Sequence, residues 1–417
     1  MPIHRAQFDA ACAALDAVLK FDQPADAVLR RFFQQHPRLG SADRGFIADA
    51  VFGVLRRKRF LDTLAEAAPS RRLLLAYLAR VAGSSGREIA AAVGPRDLEW
   101  FAATKARVTS ALPAAVQAEL PDWLLARLER QMPAADVLEL GRALQQPAPL
   151  DLRVNTVRGE RPAVLSQLAA SAVRCEPTPY SPVGIRVRAP LPINRHPLFL
   201  DGTVEVQDEG SQLLSYLVAP TRHDLVVDFC AGAGGKSLHL GALMRSRGRV
   251  YAFDVAARRL ARLRPRLKRS GLSNLHPGLI ANENDIRIKR LAGKIDRVLV
   301  DAPCSGFGTL RRNPDLKWRQ TEDAVAELAA KQASILRAAA RLLKPGGRLV
   351  YATCSLLAEE NEEVVAAFLA GHPQFAPVDC AGILREQRIA LDTGIHLRLL
   401  PHRHGTDGFF AAVLERA

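Results

Sequence analysis

Apolar positions change their period twice along the chain. Over residues 1–140 they recur at helical spacing, most clearly in 11–19, 25–33 and 44–56, which predicts an all-helical region. Ser41 offers an N-cap for the third of these, with Arg44 where a full capping box would place an acid. The stretch Gln145-Gln146-Pro147-Ala148-Pro149 interrupts the pattern and reads as a linker. Between 145 and 220, short strand-like runs (151–155, 184–187, 203–206) surround one helix at 162–170, which predicts a small α+β module. From 221 to the end, strands at 225–229, 250–253, 278–280, 297–300 and 348–351 alternate with helices at 236–245, 256–270, 324–343 and 358–370. The 324–343 helix carries Leu328, Ile335, Leu336, Ala339, Leu342 and Leu343 on one face and is expected to stop at Pro345-Gly346-Gly347. Runs at 395–399 and 409–414 read as a closing strand pair. The alternation predicts an α/β fold for 221–417, a doubly wound, Rossmann-like parallel sheet.

Composition adds a partner to this picture. A net charge of +15 on 417 residues favours a polyanion, with nucleic acid ahead of a membrane surface. The most apolar helical run, 73–81, is bracketed by Arg71, Arg72 and Arg80 and is far short of the ~20 residues a bilayer span needs. The start, Met1-Pro2-Ile3-His4-Arg5, has no apolar core of a secretory signal. The six cysteines (12, 175, 230, 304, 354, 380) form no CxxC pair, so no metal site and no disulfide framework is expected. Free thiols fit a reducing, cytoplasmic setting. Arg56-Arg57-Lys58-Arg59 is either a solvated helix end or an RNA contact.

Three segments carry candidate chemistry. Asp228-Phe229-Cys230-Ala231-Gly232-Ala233-Gly234-Gly235-Lys236 ends the first strand of the α/β region and opens a helix, a place where glycines let a ligand approach backbone N–H groups. It lacks Walker A spacing. Asp254, at the end of the second strand, stands where such folds hold a ribose, although it is equally a helix N-cap. This pair of features alone fits NAD, FAD or S-adenosylmethionine. The choice falls to Asp301-Ala302-Pro303-Cys304-Ser305-Gly306 and Ala352-Thr353-Cys354-Ser355. Each puts a cysteine just beyond a buried strand, at the sheet edge where ligands bind. Hydride transfer needs neither thiol, whereas covalent catalysis uses them.

These blocks resemble the RNA (cytosine-5) methyltransferases of the NOL1/NOP2/Sun type, above all the branch acting on bacterial 16S ribosomal RNA. The likeness rests on VQDEGSQ (206–212), DFCAGAGGK (228–236), DAPCSGFGTLRRNPDLKW (301–318), YATCSLLAEENE (351–362) and HGTDGFF (404–410). It implies a Rossmann-like methyltransferase domain (221–417), an RRM-like α+β module (145–220) and a NusB-like RNA-binding helical domain (1–140). It further implies S-adenosylmethionine bound by Cys230, Ala231, Gly232, Ala233, Gly234, Gly235, Lys236, Asp254 and Asp301, with either Asn282 or Asp285 on the adenine. The family turn usually reads CAAPGGKT, so Ala233 replaces a proline here. Cys354 is implied as nucleophile, Cys304 as the thiol assisting product release, Asp301 as a partner of the cytosine N3/N4 edge and Lys236 as a support for active-site charge. Arg311, Arg312, Lys317 and Trp318 are expected to meet RNA. The resemblance thus points to a monomeric enzyme making 5-methylcytosine in small-subunit ribosomal RNA, with no membrane or metal partner. Two alternatives stay open: the same chemistry on tRNA or another RNA, and a non-catalytic ribosome-assembly factor.

Overall fold

Chain contacts divide the computed structural model into two units: Met1–Pro147 with Thr309–Glu322, and Ala148–Gly308 with Asp323–Ala417. Residues 2–65, 69–108, 112–189 and 191–417 are described. In the first unit the principal helices are Arg5–Val18, Ala25–Gln35, Ser41–Arg56, Ser70–Arg80, Pro95–Ala106 and Ala134–Leu144. Phe8, Leu15, Ile47, Leu55, Leu61, Leu74 and Leu75 are fully buried in its core. Each contributes about 1.5–3 kcal/mol of apolar burial. The first helix starts earlier than its apolar period suggests. Ser41 is not the cap of its helix but its first residue. The cap is Gly40, whose N–H donates to Asp43 Oδ2 at 3.0 Å. The basic run 56–59 is neither a solvated end nor an open patch. Arg57 pairs with Glu119, Lys58 with Asp62 at 2.7 Å, and Arg59 with Asp122 at 2.7 Å, while Arg56 donates to the Arg311 carbonyl.

The second unit contains two sheets. The smaller is formed by β1 (Leu150–Val154), β2 (Cys175–Pro177), β3 (Gly184–Val187) and β4 (Val204–Val206), all antiparallel, in the order β2-β3-β1-β4. The larger is built from β5 (Leu225–Asp228), β6 (Arg249–Asp254), β7 (Leu275–Leu279), β8 (Ile295–Asp301), β9 (Leu343–Thr353), β10 (Phe375–Val378), β11 (Leu397–Leu399) and β12 (Phe409–Arg416). Its order is β10-β12-β9-β8-β5-β6-β7, with β11 added on β12. The strands from β9 to β7 are mutually parallel, and β12 is antiparallel to β9, β10 and β11. Strand succession reverses between β5 and β8, so their carboxyl ends leave a crevice there.

Two boundaries differ from the sequence pattern for physical reasons. The long helix runs Glu322–Ala340, and Pro345-Gly346-Gly347 does not separate it from a strand but lies inside β9. Ile295 pairs with Leu343 and Arg297 with Arg348, so β9 carries its extra residues as a bulge. The third parallel strand begins at Leu275, before the expected 278, and includes Pro277. As an edge strand β7 can hold a proline without losing a ladder bond.

Candidate active site

The crevice holds a 550 Å³ cavity, lined by the turn after β5, the ends of β6 and β8, and the Cys354 loop. The turn is shaped by backbone that only glycine adopts readily. Gly232 and Gly234 have φ of +57° and +80°, and a Cβ on Gly234 would lie 2.1 Å from Leu263. Asp254 Oδ2 accepts the Gly232 N–H at 2.7 Å and Oδ1 accepts the Ala256 N–H at 2.6 Å. It therefore pins the turn and holds the backbone just ahead of the helix Ala257–Ser270 at once, and it lines the cavity. Two arginines hold the turn's carbonyls from the other side. Arg266 donates to Ala233 O at 2.6 Å, and the buried Arg153 donates to Gly235 O at 2.6 Å and to Gln207. These bonds fix the turn despite alanine at 233.

Asp228, at the end of β5, is buried with Oδ1 free of any hydrogen bond, while Oδ2 accepts from Ser237 at 2.6 Å. Burial pushes its carboxyl up to about 7 against the Ser237 bond, and the Asp301 charge adds to the push. The unfolded chain releases this proton near 3.8, so stability from this group is full below that pH and is lost as pH rises to about 7. The gap corresponds to on the order of 4 kcal/mol. Asp228→Asn is expected to melt above the wild type at pH 8 and no higher at pH 4, measured by thermal denaturation across the pH range.

The two thiols from separate strand ends meet: Cys304 Sγ and Cys354 Sγ are 3.3 Å apart, and both line the cavity. Cys304 is held well above the ordinary thiol range by its hydrogen bond to Cys354, by burial, and by negative charge at Cys354 and Glu360. Either sulfur can be the donor in this contact. Beside them Lys236 Nζ donates to Asp301 Oδ2 at 2.7 Å. Burial alone would lower the lysine, but Asp301 and the charge at Cys354 outweigh it and hold the ammonium above its usual value. A fixed cation beside a thiol favours thiolate. The loop is closed by backbone: Gly308 N donates to Cys354 O and Gly408 N to Gly308 O, both at 2.8 Å, and a Cβ on Gly308 would meet Gly408 O at 2.1 Å. The same approach calls for the second glycine of HGTDGFF, since a Cβ on Gly408 would lie 2.7 Å from Gly308 Cα. Cys230 lines the same cavity, where burial and the surrounding carboxylates push its thiol well above the ordinary range.

Other expected residues lie elsewhere. Asn282 is exposed and accepts from Asn284 N, and Asp285 caps the short helix Ile286–Lys289. Neither lines the cavity; Glu283, between them, does. Against the upward push of burial, Lys331 and Ser334, each at 2.7 Å, hold the Glu283 carboxyl down at about 2. Sequence reading passed over Glu283 because the acid-rich loop has three candidates and no local signal selects one. Arg311, Arg312, Lys317 and Trp318 belong to the segment grouped with the helical unit. Lys317 is 4% exposed and donates to Arg56 O at 3.1 Å, Arg311 is 6% exposed, and Trp318 Nε1 reaches Leu55 O at 3.5 Å. Burial pushes Lys317 down to about 8, with Glu119 opposing. A phosphate contact from Lys317 would require unburying it, whereas Arg312 is half-buried. On the helix Ala257–Ser270, Arg258, Arg259, Arg262, Arg264 and Lys268 are exposed, whereas Arg266 and Arg269 are tied to Glu205 at 2.8 and 2.6 Å.

Comparison with known proteins gives the family and the fold. Residues 215–415 match the family model described as 16S rRNA methyltransferase RsmB/F, and residues 120–194 match one described as an RsmF/B-like ferredoxin-like domain. The chain is 32% identical to the probable ribosomal RNA small subunit methyltransferase B of Synechocystis sp., over 95% of this chain and 96% of that protein. The crystal structure of PH0851 matches over 100% of both chains with TM-score 0.82 and 25% identity. NSun6 from Pyrococcus horikoshii, solved with SFG, shares the fold over 71% of this chain and 98% of its own, with TM-score 0.63 and 20% identity.

Proposed function

The chain belongs to the RsmB/F family of ribosomal RNA methyltransferases, and from that premise we propose that it methylates C5 of a cytosine in 16S ribosomal RNA through a covalent Cys354–cytosine bond. The observation that carries this reading is the thiol pair, 3.3 Å apart at the cavity beside Lys236. S-adenosylmethionine, when bound, supplies an electrophilic methyl group on its sulfonium. The residues present fit it: a glycine turn with open backbone, the unpartnered Asp228 Oδ1, and Asp254 and Glu283 lining the same cavity. NSun6 from Pyrococcus horikoshii, which shares the fold, was solved with SFG.

Cytosine C5 is a weak nucleophile. The Cys354 thiolate adds to C6, and the ring electrons shifted by that bond make C5 enamine-like and reactive towards a methyl cation equivalent. After methylation, C5 gives up its proton to solvent water, the C–H electron pair re-forms the C5–C6 double bond, and the C6–S bond breaks with its electrons leaving on sulfur to return the Cys354 thiolate. Lys236 stabilises the thiolate at both ends of this cycle. Asp301, with Oδ2 held by Lys236, keeps Oδ1 for the N3/N4 edge of the base and favours its protonated, electrophilic form. Cys304 keeps its proton and offers S–H to the departing sulfur. The target base must leave its stack to enter, and the exposed cations of Ala257–Ser270 draw the RNA in with a salt-dependent pull.

The test is incubation with methyl-labelled S-adenosylmethionine and unmodified small-subunit rRNA, with tRNA in parallel, followed by nucleoside analysis. Label is expected in 5-methylcytosine of the rRNA. Label in tRNA alone changes the substrate, and label in any other nucleoside overturns the chemistry.

A further inference from the structure

Glu360 follows β9 by a short turn, is 0% exposed, and is not part of the chemistry described above. Its carboxylate accepts four donors. Oε1 takes the Ser305 N–H at 2.8 Å and Gln332 Nε2 at 3.0 Å, and Oε2 takes the hydroxyls of Ser305, at 2.5 Å, and Ser355. Ser305 is the residue after Cys304, and Ser355 is the residue after Cys354. The two serine hydroxyls themselves lie 3.2 Å apart. The support continues outward. Gln332 also donates to Pro303 O at 2.9 Å, Tyr351 OH donates to Glu360 O at 2.6 Å, and Asn361 Nδ2 donates to Ser355 O at 3.2 Å.

We propose that Glu360 is a positioning residue that fastens the two cysteine loops to each other and thereby sets the spacing of the two thiols. The loops leave different strands, β8 and β9, and nothing covalent joins them. A single carboxylate bonded to the residue following each cysteine fixes both sulfurs with one group. Deeply buried charge is retained only where donors satisfy it, and here four do so. The role in turnover rests on the two-thiol reading above; the spacing itself does not.

Spacing is measured with a trivalent arsenical, phenylarsine oxide, which condenses with two adjacent thiols to form two As–S bonds and release water. The wild type is expected to be bridged once, and Cys304→Ala not at this site. Glu360→Ala is expected to lose rapid bridging and to slow single-turnover methyl transfer by about 10²-fold, the usual effect of misplacing a reacting group by ~1 Å. S-adenosylmethionine affinity, measured by calorimetry, should stay near the wild-type value, and Glu360→Gln, which keeps size and part of the network, should recover most of the rate. The double variant Ser305→Ala/Ser355→Ala keeps the carboxylate and its two nitrogen donors, and carries the test if Glu360→Ala does not fold. Wild-type bridging and rate in either folded variant overturn the proposal, as does a loss of rate that only follows a loss of cofactor affinity. If the wild type methylates no RNA, the bridging result still decides the spacing, so the two readings fail separately.

Discussion

Replacing Cys354 with alanine is expected to abolish methyl transfer, lowering the single-turnover rate by ~10³-fold or more, as removal of a covalent nucleophile does. The expectation follows from the asymmetry of the thiol pair. In the proposed cycle Cys354 is the anion of the pair, and Cys304, whose thiol is raised by its bond to Cys354 and by burial, is the S–H partner 3.3 Å away. Lys236, kept charged by Asp301, supplies the countercharge next to the other. Without the Cys354 sulfur, C5 stays unactivated even with both substrates bound. S-adenosylmethionine affinity should change little, because the turn that lines the cavity is held by Asp254, Arg153 and Arg266 rather than by the thiol. Labelled-methyl transfer beside calorimetric binding checks both halves. Full activity in Cys354→Ala would move the nucleophile to Cys304.

Cys304→Ala is expected to trap a covalent protein–RNA adduct, visible as a slow band on denaturing gels, and to lower multiple turnover by about 10–100-fold. In the proposed cycle Cys304, 3.3 Å away, donates S–H to the free Cys354 thiolate and cannot do so once that sulfur is bonded to carbon. Removing the donor therefore favours the adduct over the expelled thiolate. A hydrogen bond to a charged group contributes about 1.5–3 kcal/mol, which sets the size of the effect. The double variant Cys304→Ala/Cys354→Ala should show no adduct, which assigns the bond to Cys354. Rapid turnover by Cys304→Ala without adduct would remove Cys304 from the release step.

The features legible in the sequence are those set by neighbours along the chain. Apolar alternation specified the strands from Leu225 to Tyr351, and the short blocks after them placed Asp254, Asp301, Cys304 and Cys354 at carboxyl ends, because a strand's end is a local property. A parallel strand order then brings those ends together. Other features depend on partners far away in sequence. Glu283 rather than Asn282 or Asp285 meets the cavity because Asp285 is spent on a helix cap and Lys331 and Ser334 hold Glu283 from another helix. Arg266 and Arg269 are indistinguishable by type from the other cations of their helix until Glu205, on β4, neutralises them. Lys317 reads as an RNA contact until the helical unit buries it. The amino-acid sequence by itself determined the elements, the cofactor turn and the presence of two thiols at one sheet edge. Only the tertiary structure decided the 3.3 Å between those thiols, which charges stay free and which acid faces the cavity, since each depends on groups tens to hundreds of residues apart being packed side by side.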